Sequence, residues 1–203
     1  MKINRPRLLV GSLAVAVIVS VAGGYVWSQT VGGDDASDVD AVLDDPQDRT
    51  IPDAVSEIPT NDAVEGEMLP EAVVLDPDGN EVSTQSFLGQ PTVINFWYST
   101  CVPCAKELPD FAEVHAEVGS DVRFIGINTT DSVPVMERFA ADKGVTYDLY
   151  QDSFAEFFEG VGIAAFPQTL FVTSDGLIVE QTGVIDADGL RAEVAELQEV
   201  DNR

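Results

Sequence analysis

The sequence predicts an α/β domain with a mixed central sheet flanked by helices, preceded by one membrane-spanning segment. Three observations carry this. From Met68 onward, short apolar runs alternate with stretches of helical period, as in a sheet layered with helices. The last two strand-like runs, in "QTLFVTSDGLIVEQTG", are joined by a tight turn and not by a helix, so the sheet cannot be purely parallel. Near the start, Leu8 to Trp27 runs without a charge, "LLVGSLAVAVIVSVAGGYVW".

That first run is long enough, as a helix, to cross a bilayer core of ~30 Å. Lys2, Arg5 and Arg7 precede it and no acid occurs before Asp34, so the positive-inside rule sets residues 1–7 in the cytoplasm and the remainder outside. Tyr25 and Trp27 stand where interfacial aromatics belong. The run exceeds a signal-peptide core and lacks an A-x-A site, Val21-Ala22-Gly23 being only a weak candidate, so residues 8–27 read as an uncleaved signal anchor. The whole chain of 203 residues has 36 acidic and 10 basic residues, net -26. That balance excludes nucleic acid, which needs clustered Lys and Arg, and opposes adsorption on anionic lipid. Residues 28–67 read as an acidic flexible tether, because Val31 to Glu67 holds 12 acids against Arg49, with Pro46, Pro52 and Pro59 interspersed.

Residues 68–203 read as the folded domain, and 45% apolar residues overall suffice for a core. "EAVVLDPDGNEVS" predicts two short strands about the turn Asp76 to Asn80. "PTVINFWYS" is a continuous apolar run, a central strand buried on both faces. "CVPCAKELPDFAEVHAEVG" predicts a helix with Leu108, Phe111, Val114 and Val118 on one stripe and Gly119 as its stop. "DVRFIGINT" is a second buried strand, and "SVPVMERFAADKG" a helix with Pro134 in its first turn. "TYDLYQD" predicts a strand and "SFAEFFEG" a short helix. The hairpin turning at Ser174-Asp175-Gly176 and the amphipathic "DADGLRAEVAELQEV" close the chain.

The only two cysteines, Cys101 and Cys104, lie where the buried strand gives way to the helix. Tetrahedral zinc needs about four ligands, and the only histidine, His115, lies eleven residues on inside a helix with no second cluster, so no metal is expected and His115 reads as an ordinary helix residue. A staple across so small a loop removes little chain entropy. A redox couple fits the placement: the first cysteine of a helix N-terminus faces free N–H groups and the positive dipole end, which favour thiolate. Cys101 is then the nucleophile at the edge and Cys104, one turn in, the resolving thiol. Such exchange requires no cofactor. Pro103 suits the first turn, where its missing N–H costs nothing.

"VINFWYSTCVPCAKELP" resembles the active-site segment of membrane-anchored, thioredoxin-like disulfide reductases of the TlpA/ResA type, and "GIAAFPQTLFVTSDG" resembles the later segment that carries a cis-proline. The resemblance covers roughly Leu69 to Leu197. It implies a thioredoxin-like fold with an added N-terminal β-hairpin, an active-site helix interrupted at Pro109, and a cis-proline at Pro167 beside the disulfide. It assigns Glu107 to a family glutamate near the buried cysteine, placed to take its proton. It puts Trp97, Thr100, Val102, Pro103 and Phe166 at the substrate surface. Thr100 stands where the family often has Trp, Val102-Pro103 where Gly-Pro or Glu-Pro is commoner, and Phe166 where a smaller residue is usual.

The implied activity is an extracytoplasmic thiol–disulfide oxidoreductase, acting as a reductant of protein disulfides. Apocytochrome c, during cytochrome c maturation, is a substrate class the family serves, and a membrane thiol relay is the implied electron donor. A disulfide-inserting oxidase uses the same motif, since direction depends on potential. A thiol peroxidase needs a Pro and a Thr or Ser where this chain has Ile94 and Tyr98. A tethered, non-catalytic binding module would have no use for an intact C-x-x-C.

Overall fold

The computed structural model of the chain describes residues 60–203. The expected cytoplasmic stub, the anchor at 8–27 and the tether up to residue 59 lie outside the described residues. Among the described residues no helix is long and apolar enough to cross a membrane.

Seven strands form one mixed sheet: β1 Val73–Leu75, β2 Glu81–Ser83, β3 Thr92–Trp97, β4 Arg123–Asn128, β5 Asp148–Gln151, β6 Gln168–Val172 and β7 Ile178–Thr182, in the order β2-β1-β5-β4-β3-β6-β7. β3, β4 and β5 run parallel, and β6, β7, β1 and β2 join antiparallel. The helices are α1 Val102–Val118, α2 Val133–Asp142, α3 Glu156–Gly160 and α4 Ala187–Asp201. All six residues of β3 are buried, as a strand covered on both faces must be.

Period-two alternation divides the core. Val93, Trp97, Phe124 and Phe171 point to one face, where the three long helices α1, α2 and α4 supply Leu108, Phe111, Met136, Leu190 and Val194. Ile94, Phe96, Ile125, Ile127 and Leu170 point to the other, covered by Phe157 of α3, Phe87 of a 3-10 turn and the segment from Val64 to Val74. Among the described residues, long helices thus occupy one face only. The stripe expected on α1 is buried at Leu108, Phe111 and Val114, with Val118 half-buried. Pro109 lies inside α1 without interrupting it. Arg191 of α4 ties that helix to α1 through Glu113 and Glu117.

The ordered fold begins upstream of Met68. Residues Asp62 to Glu67, counted with the tether on their charge, are hydrogen-bonded to the domain: Asp62 N–H to Gly162 O at 2.9 Å and Gly66 N–H to Ile178 O at 2.8 Å. Val64 is buried among the residues of the second face. One apolar side chain and backbone pairing along β7 decide the conformation here, where composition averaged over 37 residues suggested none.

Candidate active site

β3 delivers the chain to the C-terminal edge of the sheet, and the link Tyr98–Thr100 carries it to α1. Cys101 is the N-cap of α1, in extended conformation, and its Sγ accepts the Cys104 N–H at 3.2 Å. A cysteine thus takes the place usually held by a Ser or Asp oxygen. Pro103 sits in the first turn, where no N–H is required. Cys101 and Cys104 are joined as a disulfide, their Cα atoms 5.3 Å apart. Cys101 keeps 5% of its surface exposed and Cys104 none, so an incoming thiol can reach only Cys101.

Beneath the pair lies a carboxylate. Glu107 is on α1, three residues after Cys104 and on the same inward side, 2% exposed. Asn95 of β3 donates from Nδ2 to Glu107 Oε1 at 3.0 Å and to Thr169 Oγ1 at 3.1 Å, and the Ile185 N–H approaches Glu107 Oε2 at 3.4 Å. Desolvation dominates these contacts and raises the Glu107 pKa from 4.5 to about 7. The carboxyl can therefore exchange a proton near neutrality. Tyr147 shares this interior, and burial pushes its hydroxyl well above the ordinary value.

The link before Cys101 is held from β4. Asp131 accepts from Ser99 N at 2.7 Å, Ser99 Oγ at 2.6 Å and Asn128 Nδ2 at 2.8 Å. Asn128 Oδ1 accepts in turn from the Asp131 N–H at 2.8 Å. Cys101 thus stands between a helix and a loop fixed by hydrogen bonds to the Asp131 carboxylate.

The Phe166–Pro167 peptide is cis. Phe96 pairs with Gln168 in the β3–β6 register, so Pro167 falls level with the end of β3, at the sheet edge from which Cys101 emerges. Phe166 is half-buried, its ring 5.0 Å from Tyr98 and stacked 5.4 Å from Phe158. Val102 is 66% exposed, Thr100 exposed and Pro103 partly so. Trp97 is not at the surface. It is fully buried and stacked on Phe139 at 5.9 Å, because strand parity turns it inward beside Val93. His115, eleven residues past Cys104, packs between Phe124 and Tyr147, roughly 16 Å along the helix from the disulfide. Among the described residues no three His, Cys, Asp or Glu side chains converge as metal ligands.

Sequence reasoning missed Asn95, Thr169, Ser99, Asp131 and the exposed Val184, which precedes Ile185 in the chain. A polar residue in the middle of an otherwise apolar buried strand was the available signal for Asn95.

A family model described as the AhpC/TSA family matches residues 65–188. The thiol-disulfide oxidoreductase ResA of Halalkalibacterium halodurans is 25% identical over 116 residues, which are 57% of this chain and 66% of that protein. ResA of Bacillus subtilis is 25% identical over 117 residues, 57% of this chain and 65% of that protein. The chain therefore spans about two thirds of the length of these relatives. The thioredoxin domain of a thiol-disulfide oxidoreductase from Bacteroides vulgatus superposes with a TM-score of 0.60 at 22% identity, covering 66% of this chain and 98% of that one. The fold is accordingly thioredoxin-like.

Proposed function

Because the chain belongs to the AhpC/TSA family, we propose that it is a thiol–disulfide oxidoreductase that reduces protein disulfides. The observation that carries this is the Cys101–Cys104 disulfide at the α1 N-terminus, with Cys101 Sγ already accepting the Cys104 N–H. In the reduced protein the same N–H and the helix dipole stabilise a Cys101 thiolate. That thiolate attacks one sulfur of a substrate disulfide. A mixed disulfide forms and the other substrate sulfur leaves as a thiolate. Cys104 loses its proton and attacks Cys101 Sγ, the internal disulfide re-forms, and the second substrate thiol departs. The substrate has gained two electrons and the pair has lost them. Glu107, poised near pH 7, is the proposed acceptor of the Cys104 proton. Pro167, which has no N–H, is the proposed floor for the substrate backbone, with Thr100, Val102, Pro103 and Phe166 around it.

The proposed setting is extracytoplasmic, on a signal anchor at residues 8–27 followed by the acidic tether. The basic residues before that run and the acids after it support this reading. A membrane thiol relay would then recharge the pair, and a C-x-x-C apocytochrome c is a fitting substrate class. The AhpC/TSA assignment alone does not separate reductant from peroxidase. The C-x-x-C and the residues Ile94 and Tyr98 favour dithiol exchange.

The decisive test is the midpoint potential of the pair, read by equilibrating the chain with a thiol buffer and weighing the alkylated protein. A value near or below the ~-270 mV of thioredoxin supports a reductant. A value near the ~-120 mV of a strong oxidant overturns the direction and leaves disulfide insertion.

A further inference from the structure

The loop before Pro167 has little of its own to hold it. Ala164 and Ala165 are small and exposed, and neither side chain can anchor a backbone. The anchor comes from the far end of the domain sequence. Asn61 Oδ1 accepts both the Ala164 and the Ala165 N–H, each at 2.7 Å. Asn61 Nδ2 donates to Gln168 Oε1, and Gln168 Nε2 donates to Thr182 O at 2.9 Å. One amide therefore grips the loop on both sides of the cis peptide, at residues 164–165 and at the first residue of β6. The neighbouring backbone repeats the hold: Asp62 N–H donates to Gly162 O at 2.9 Å, and Gln181 Nε2 to Asp62 O at 2.9 Å. The two segments lie so close that a Cβ at Gly162 would stand 2.3 Å from Asp62 Oδ2, at a residue whose φ is +60°.

We propose that Asn61 is a positioning residue that fixes the backbone of the Ala164–Pro167 loop for a polypeptide substrate. The inference rests on the reading above, in which Pro167 receives the substrate backbone. It makes a distinction within that reading. Sulfur exchange depends on Cys101, its helix terminus and Cys104, none of which Asn61 touches. Alignment of a chain against the loop depends on where residues 164–167 sit. A small disulfide has no backbone to align, so only a protein disulfide should sense the loss of Asn61. An asparagine is suited to the position because its oxygen can accept two N–H groups while its nitrogen donates to Gln168.

The test compares the full chain with its Asn61→Ala and Asn61→Asp variants, each reduced beforehand with dithiothreitol. Single-turnover rates are measured with insulin as the protein disulfide and with hydroxyethyl disulfide as the small one. Amide exchange at Ala164 and Ala165 is followed in parallel. Asn61→Ala is expected to slow insulin reduction about tenfold. It should leave the hydroxyethyl disulfide rate and the midpoint potential unchanged and speed exchange at both alanine amides. Asn61→Asp keeps the acceptor and is expected to recover most of the insulin rate. Equal loss with both disulfides, or no loss with either, overturns the proposal. If the unaltered chain reduces hydroxyethyl disulfide but not insulin, the reductant reading falls. Unchanged exchange at Ala164 and Ala165 in Asn61→Ala then overturns the positioning role on its own.

Discussion

The two faces of the central sheet are built to different specifications. The face under α3 is largely hydrocarbon: Ile94, Phe96, Ile125, Ile127, Leu170 and Phe157 pack there, its buried Thr84, Thr92 and Gln168 side chains are hydrogen-bonded, and Asp152 Oδ1 at its margin is, among the described residues, the polar atom left without a partner. The face under α1, α2 and α4 holds the disulfide, Glu107 and, among the described residues, three buried polar atoms without a partner, Asn95 Oδ1, Trp97 Nε1 and Tyr147 Oη. A buried polar group without a partner costs about 1–3 kcal/mol. The difference teaches where the molecule keeps stability and where it keeps chemistry. The apolar face carries the fold with little to titrate. On the polar face, desolvation raises the Glu107 pKa.

Substitutions can break or sharpen that contrast. The largest effect should come from Cys101→Ser, expected to abolish insulin reduction, while Cys104→Ser should instead accumulate a mixed disulfide visible by mass spectrometry. A Cys101→Ser variant with full turnover would remove chemistry from the polar face altogether. On the apolar face, Phe157→Ala removes a ring packed 5.1 Å from Phe96. It should cost about 3–5 kcal/mol in denaturant unfolding and leave the midpoint potential unchanged.

Glu107 sharpens the contrast through pH. Its folded pKa of about 7 exceeds the ordinary 4.5, so the native state holds this proton more tightly than the unfolded chain. Its contribution is full below about pH 4.5, falls as pH rises, and is gone above about pH 7. In the oxidised protein that amounts to about 3 kcal/mol, and Glu107→Gln should flatten this part of the stability profile. The same variant should slow the Cys104 step, seen as longer-lived mixed disulfide. Gly126→Ala probes packing on the polar face, since its Cβ would lie 2.7 Å from Leu149 Cδ2 and 2.8 Å from Trp97 Nε1. About 1–3 kcal/mol should be lost, with a shift in Trp97 emission. Ser99→Ala deletes one hydrogen bond to Asp131 and should cost about 1 kcal/mol of stability.

Much of this was legible in the sequence. Every strand and α-helix from Val73 onward follows from period and punctuation, since those depend on neighbours a few residues apart, whereas the 3-10 turn Thr84–Phe87 was not foreseen. The cysteines declared themselves by spacing, and Glu107 and Pro167 came through a resemblance. Trp97 was misplaced because the resemblance set it at the substrate surface, while strand parity turns it inward. Asn61 was illegible for a different reason: its partners lie 103 and 104 residues away, and its surroundings in sequence are acidic. The Ser99–Asp131 contact spans 32 residues and leaves no local pattern either.

The cover over Glu107 also has a history. The Ile185 N–H that reaches its carboxylate is made 78 residues after it. At about 5–20 residues per second of synthesis, that gap lasts roughly 4–16 s. Through that interval both cysteines and Asn95 have been made, while the Ile185 N–H has not. Glu107 thus gains this backbone partner only when residue 185 of the 203 has been made.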